Sequence, residues 1–337
     1  MVAFSPTTHQ LVDAIDDDVE GWLDDRLGKL AHSEVLIEEM RRLVRAGGKR
    51  LRPSFCYWGY RAAGGRPGPA IVRAAASLEL LHTFAIVHDD IMDVSDERRG
   101  EPTVHVLRGV NVALLVGDLA LVLADDMFMG SGFTPEILAE AFRPYSRMRQ
   151  QVIAGQYLDV VAASDPLTTE DHARLVARMK SGRYSVEEPL TIGATLGGGS
   201  PELIEGLAGF GAPLGEAFQL RDDLLGMFGE RSSTGKPVDS DVREGKHHLL
   251  YARTVATLEG ADRDFFLAHW GGGKALDATT VERLIQLVEA SGARAYTEEL
   301  LDRLCGEADA FLGRLPGPTE VEAALRELAH LATVRSE

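Results

Sequence analysis

The chain has 337 residues, 45% of them hydrophobic, enough to bury a sizeable core as one large unit or as two ordinary ones. Its formal net charge of −17 argues against nucleic acid and anionic membranes as general partners, because such surfaces are bound through basic patches; an anionic ligand has to be received at a local exception. The two cysteines, Cys56 and Cys305, stand far apart in no metal-ligand spacing and cannot form a disulfide framework, so a reducing cytoplasm is the expected location.

The first twenty residues lack a basic start and an uninterrupted apolar stretch, and they turn acidic at Asp16, Asp17 and Asp18, unlike a signal peptide. Leu11, Ile15, Val19, Trp22, Leu23, Leu27 and Leu30 recur at spacings of three and four, which predicts an amphipathic helix. The same periodicity continues along the chain, broken at 63–69, 130–135, 164–168, 197–201, 228–245, 271–273 and 315–318, with no convincing period-two strand pair between the breaks. Residues 70–87 and 110–123 are apolar all round, a pattern that predicts helices covered by others. The longest apolar run, 110–124, is interrupted by Asn111 and Asp118 and is too short to span a bilayer, so no stable membrane insertion is expected. No break reads as an interdomain linker and no repeat has a fixed period; one all-α domain over 1–337 is the simplest organisation.

Charged motifs interrupt this apolar pattern in chain order. Gly47-Gly48-Lys49-Arg50-Leu51-Arg52-Pro53 combines glycines that permit close backbone approach with basic groups that can grip an anion; a helix-terminating basic turn is the alternative. At the end of the apolar helix stand Asp89, Asp90 and Asp93, with Asp89 and Asp93 one turn apart on the same face. Like charges at that spacing cost roughly 0.2–0.5 kcal/mol even when exposed, so a cation belongs between them. A few hard oxygen ligands with room for water and a phosphate suit Mg²⁺ better than a fully caged Ca²⁺. The guanidinium pair Arg98-Arg99 follows within a short loop, a natural second clamp on a diphosphate.

Further along, Lys180-Ser181-Gly182-Arg183-Tyr184 sets a cation beside a hydroxyl. Gln219-Leu220-Arg221-Asp222-Asp223-Leu224-Leu225-Gly226 repeats the acidic doublet on a second predicted helix. Lys236 and Lys246 sit in and after the glycine-rich loop beyond it, where mobile ammonium groups can close over phosphate oxygens. Each of these also reads, alone, as ordinary surface charge.

Together, Gly47 to Pro53, His82, Asp89 to Gly100, Lys180-Ser181, Gln219 to Gly226, Lys236 and Lys246 resemble the trans-isoprenyl diphosphate synthases, the short-chain polyprenyl synthetase family, in order and spacing from about residue 46 to 250. The resemblance implies an isoprenoid-synthase bundle of helices around a deep central cavity, normally a homodimer, with two diphosphate sites at the cavity mouth. It implies that Asp89, Asp93 and Asp222 bind Mg²⁺ bridging an allylic diphosphate, supported by Asp90 and Asp223, and that Arg98, Lys180, Gln219 and Lys236 hold the same diphosphate. Lys49, Arg52, His82 and Arg99 then bind isopentenyl diphosphate without metal, and Ser181 stands where the family often has Thr. Gly226 departs from the third aspartate that many members carry.

By the same resemblance, bulk upstream of the first motif limits product length. Phe84 lies about 7.5 Å along the helix axis before Asp89, and Ala85 beside it is small. That combination resembles geranylgeranyl diphosphate synthases, with farnesyl diphosphate as the nearer alternative product. A class I terpene cyclase of the same fold lacks an isopentenyl site and carries an Asn/Ser/Glu motif that is missing at 219–226. A non-catalytic modulatory subunit fits poorly with the retained aspartates and lysines.

Overall fold

The three-and-four spacing becomes helix almost throughout a computed structural model of the protein, which describes residues 8–163, 165–229 and 239–333. Helix α1 (Thr8–Leu27) buries Leu11, Ile15, Val19 and Leu23 as one stripe; it stops short of Leu30, which packs on the core from a turn. Next come α2 (Glu34–Arg45) and α3 (Leu51–Ala62). Helix α4 (Pro69–Met92) opens with proline at its first position, where no intrahelical N–H is needed, and closes with the Asp93 amide donating to the Asp89 carbonyl. It is long and apolar enough to cross a membrane, yet two-thirds of its most apolar stretch is buried inside the bundle.

After α4 the chain makes a two-residue antiparallel ladder, β1 (Glu97–Arg98) with β2 (Glu101–Pro102), too short to carry any alternation in sequence. Then follow α5 (Val104–Arg108), α6 (Val110–Met129) and α7 (Pro135–Ala162). Small residues Ala113, Gly117, Ala120 and Ala124 seat α6 closely against α4. The expectation that α6 is covered all round is corrected: Leu114, Leu115, Val122 and Met129 are exposed, because no other described segment of the chain lies over that face.

Helix α8 (Glu170–Val176) passes into a π-helical stretch, Ala177–Glu187, before α9 (Glu188–Leu196); the wider turn was not visible in the apolar spacing. Helix α10 (Pro201–Phe228) is followed by α11 (Ser240–Glu244), α12 (Leu249–Thr257), α13 (Gly260–His269), α14 (Ala278–Ala290), α15 (Ala293–Leu312) and α16 (Thr319–Thr333). The larger core joins α1, α3, α4, α6, α7 and α9 around Phe55, Phe128, Tyr145 and Phe210. A second core gathers Val242, Leu250, Tyr251, Phe266, Leu284 and Leu301 on the C-terminal half of α10. Because α10 supplies Phe210 to the first core and Leu220, Leu224 and Met227 to the second, it ties the two together without a linker.

Candidate active site

A cavity of about 1350 Å³ runs along the C-terminal half of α4 and is walled by α7, the π-helical stretch, α10, α11 and the loops carrying Lys49 and Arg99. Backbone approach sets its width. A β-carbon at Gly155 of α7 would collide with the backbone of Lys180, and one at Gly182 would press on Gly215 of α10; glycine at these crossings lets the π-helical turn lie between both helices. That placement brings Lys180 to the end of α4.

At this end the first aspartates are met by cations. Lys180 Nζ donates to Asp89 at 2.8 Å and to Asp159 at 2.6 Å, while Gln156 Nε2 donates to Asp89 at 3.0 Å. Lys246 pairs with Asp93. Burial works against ionisation of Asp89, but Lys180, Lys246 and Arg98 overcome it and hold the carboxyl well below the usual carboxylate range. Burial and the neighbouring Asp89 push Asp93 up. Two carboxylates that disfavour each other's charge, both lining the cavity, form a donor set of hard oxygens that fits a divalent cation. Asp90 does not line the cavity: it is buried and accepts Arg98 Nε on both oxygens at 2.8 and 3.0 Å. Its geometry orients Arg98, which keeps a 3.5 Å contact with Asp89.

On α10, Gln219, Asp222 and Asp223 line the same cavity. Gln219 Nε2 donates to Asp223 at 2.7 Å, and burial pushes the Asp223 carboxyl well above its usual range. At Gly226 a β-carbon would meet the carboxylate of Asp241 from α11, so a larger residue there requires that flexible side chain to swing aside. Lys236 lies outside the described residues.

The opposite wall is basic. Arg52 lies over the Tyr184 ring at 4.4 Å, and its buried Nε has no hydrogen-bond partner, an orphaned donor beside a cavity. His82 Nδ1 meets the Tyr184 hydroxyl at 3.2 Å; burial, then the nearby Arg52 and Arg99, lower its pKa well below that of a free imidazole, so the ring is neutral. Lys49 Nζ donates to the Leu331 carbonyl near the end of α16, and Arg99 to the Gly47 carbonyl. Ser181 is buried in the wall, and Phe84, also buried, meets His88 edge-on at 5.0 Å with Ala85 next to it.

Sequence reasoning overlooked Gln156 and Asp159. They stand three apart on one face of α7, and the available signal was two polar side chains amid Val152, Ile153, Tyr157 and Val160. Tyr184 carries Arg52 over its ring and meets His82 through its hydroxyl, a placement that no local spacing indicates. Asp241 and Glu244, which also line the cavity, fall within the break at 228–245 that the sequence shows, and His248 lies just beyond it.

Two aspartate motifs and a separate cluster of cations on one deep cavity inside a helical bundle define an enzyme that handles diphosphates with a divalent metal. The chain belongs to the polyprenyl synthetase family: that family's sequence profile matches residues 33–288. It is 36% identical to the short chain isoprenyl diphosphate synthase of Methanothermobacter thermautotrophicus, over 78% of this chain and 79% of that one. It is 32% identical to the (2E,6E)-farnesyl diphosphate synthase of Mycobacterium tuberculosis, over 97% and 89%. Among solved structures it resembles the geranylgeranyl pyrophosphate synthase of Corynebacterium glutamicum, complexed with isoprenyl diphosphate and magnesium, at 34% identity and a TM-score of 0.94 over 98% and 100% of the two chains. The protein is an isoprenyl diphosphate synthase, a prenyltransferase that condenses isopentenyl diphosphate with allylic diphosphates.

Proposed function

We propose that this enzyme extends allylic diphosphates to geranylgeranyl diphosphate, using Mg²⁺ held by Asp89, Asp93 and Asp222. The observation that carries the reading is the shared cavity: Asp89, Asp93 and Asp222 line it together with Lys180, Arg98 and Lys246, while the metal-free basic wall of Lys49, Arg52, His82 and Arg99 lines it too. Mg²⁺, when bound, supplies Lewis-acid neutralisation of the diphosphate oxygens. Arg98, Lys180 and Lys246, with Gln219 and Ser181 beside them, take up the negative charge that develops on the leaving diphosphate as the allylic C1–O bond breaks. Arg52, Lys49, Arg99 and neutral His82 hold isopentenyl diphosphate; its C4 bonds to the allylic C1, and the proton lost from its C2 passes to the released diphosphate.

Phe84, buried in the cavity wall against His88, supports a floor that ends growth, and the small Ala85 leaves room above what a farnesyl product needs. Relatives make products of several lengths, and the farnesyl diphosphate synthase similarity over nearly the whole chain favours C15 as the second reading. The exposed apolar face of α6 (Leu114, Leu115, Val122) supports a homodimer. Free Cys56 and Cys305 support a reducing cytoplasm.

Mass spectrometry of products from isopentenyl diphosphate and each allylic primer, with Mg²⁺ or EDTA, tests the reading. A metal-dependent C20 product supports it; a C15 product removes the length argument. A hydrocarbon from the allylic substrate alone would indicate a cyclase, and no turnover a non-catalytic subunit.

A further inference from the structure

Arg50 lies inside the Gly47–Pro53 cluster but takes no part in the proposed chemistry. Its backbone is left-handed, with φ at +48°, a region L-residues other than glycine, Asn and Asp seldom enter. It stands at the entry to α3, and its side chain is nearly fully buried. Nε donates to Asp16 of α1 at 2.6 Å, Nη1 to Glu79 of α4 at 2.9 Å and to the Gly47 carbonyl at 3.4 Å, and Nη2 to the Val44 carbonyl at the end of α2 at 2.6 Å. A guanidinium has five N–H donors, and protein acceptors take four of these. It therefore has little left to offer a ligand. The Gly47 carbonyl that it holds is also the acceptor of Arg99. A β-carbon at Gly48 would lie 3.1 Å from Arg99 Nη2 and 3.3 Å from Arg50 Nη1, so the two guanidinium groups flank the same glycine.

We propose that Arg50 is a positioning residue for the isopentenyl diphosphate site. One buried side chain joins α1, α2 and α4 to a left-handed turn, and that turn sets where Lys49, the residue before it, and Arg52, two residues after it, enter the cavity wall. Through Gly47 it also fixes the anchor of Arg99. The two carboxylates neutralise Arg50 itself, so it shapes the basic wall without adding charge to it. This inference rests on the reading that the basic wall takes isopentenyl diphosphate.

The test uses calorimetry with isopentenyl diphosphate alone, which has no allylic partner to react with, on the full-length wild type and on Arg50→Gln, Arg50→Lys and Arg50→Gln/Glu79→Gln. Steady-state kinetics and thermal melting of the same proteins accompany it. Arg50→Gln is expected to weaken isopentenyl diphosphate binding tenfold or more and raise its KM likewise, with the allylic KM within twofold of wild type; Arg50→Lys recovers part of the loss. The double variant is expected to regain thermal stability, because no carboxylate is left buried without its cation, while its weak binding persists. Unchanged binding in Arg50→Gln, equal rises in both KM values, or binding that returns together with stability in the double variant would overturn the proposal. If the wild type itself fails to bind isopentenyl diphosphate, the assignment of the basic wall falls and this inference falls with it; normal wild-type binding with a silent Arg50→Gln removes only the role of Arg50.

Discussion

The two walls of the cavity handle anions in opposite ways. Among the described residues of the aspartate wall, Asp89, Asp93, Asp159, Asp222 and Asp223 outnumber the cations Arg98, Lys180 and Lys246, and those cations already carry carboxylate partners. A diphosphate approaching this wall meets excess negative charge, so a divalent metal has to supply the balance. On the basic wall, Arg99 donates to a backbone carbonyl and Arg52 lies on an aromatic ring with its buried Nε unpartnered, while Glu79, which also lines the cavity, is paired with Arg50. An unpartnered buried donor beside a cavity suits an anion bound without a metal. On the proposed reading, the two diphosphates are sorted by the company that the cations of each wall keep.

The sharpest way to break this contrast is to remove one carboxylate. Asp89→Ala is expected to lower turnover by about 10³-fold, the scale of deleting one preorganised charge-stabilising group, with isopentenyl diphosphate binding unchanged with or without EDTA. Product assays and calorimetry on the same variant read both walls at once. Next, Arg52→Gln should raise the KM for isopentenyl diphosphate about 10- to 100-fold, the equivalent of one charged hydrogen bond, while the Mg²⁺ dependence of the rate stays as in wild type. A shift in the metal dependence would mean the walls are not separate.

Smaller effects sharpen the picture of the aspartate wall. Gly226→Asp sets a third carboxylate against Asp241 and makes that side chain swing aside, which is expected to destabilise the fold by about 1 kcal/mol; adding Asp241→Ala should restore the melting temperature. Failure of that rescue would place the clash elsewhere. The mildest prediction concerns His248 behind Asp241, which caps α12 by accepting the Tyr251 amide. Burial pushes its ring down to about 4 from 6.5. Below pH 6.5 the unfolded chain takes up a proton that the folded chain refuses, so stability declines as pH falls toward 4. His248→Asn keeps a capping acceptor and should flatten the slope of unfolding free energy in that window, measured by denaturant titration.

Much of the site was legible because helical period and charge are local properties. The spacing of Asp89 and Asp93 predicts one face, and the structure has both on the last turn of α4 and on the cavity. The basic run at Gly47–Pro53 stood out against an acidic chain, and Phe84 with Ala85 could be counted back along a helix. Asp90 shows the limit: its place beside Asp89 says nothing about burial, and only the arrival of Arg98 from β1 decides which group its carboxylate holds.

The sequence by itself determined that the chain folds as helices with two aspartate motifs and an isolated basic turn, since periodicity and composition depend on neighbours within a few residues. Tertiary structure alone decided which charges meet. Lys180 reaches Asp89 across 91 positions and Lys246 reaches Asp93 across 153, contacts set by glycine-lined helix crossings and by a π-helical turn. It also decided that α6 keeps an apolar face uncovered and that Gly226 makes room for Asp241, because cover and collision are properties of packed surfaces and not of any one segment.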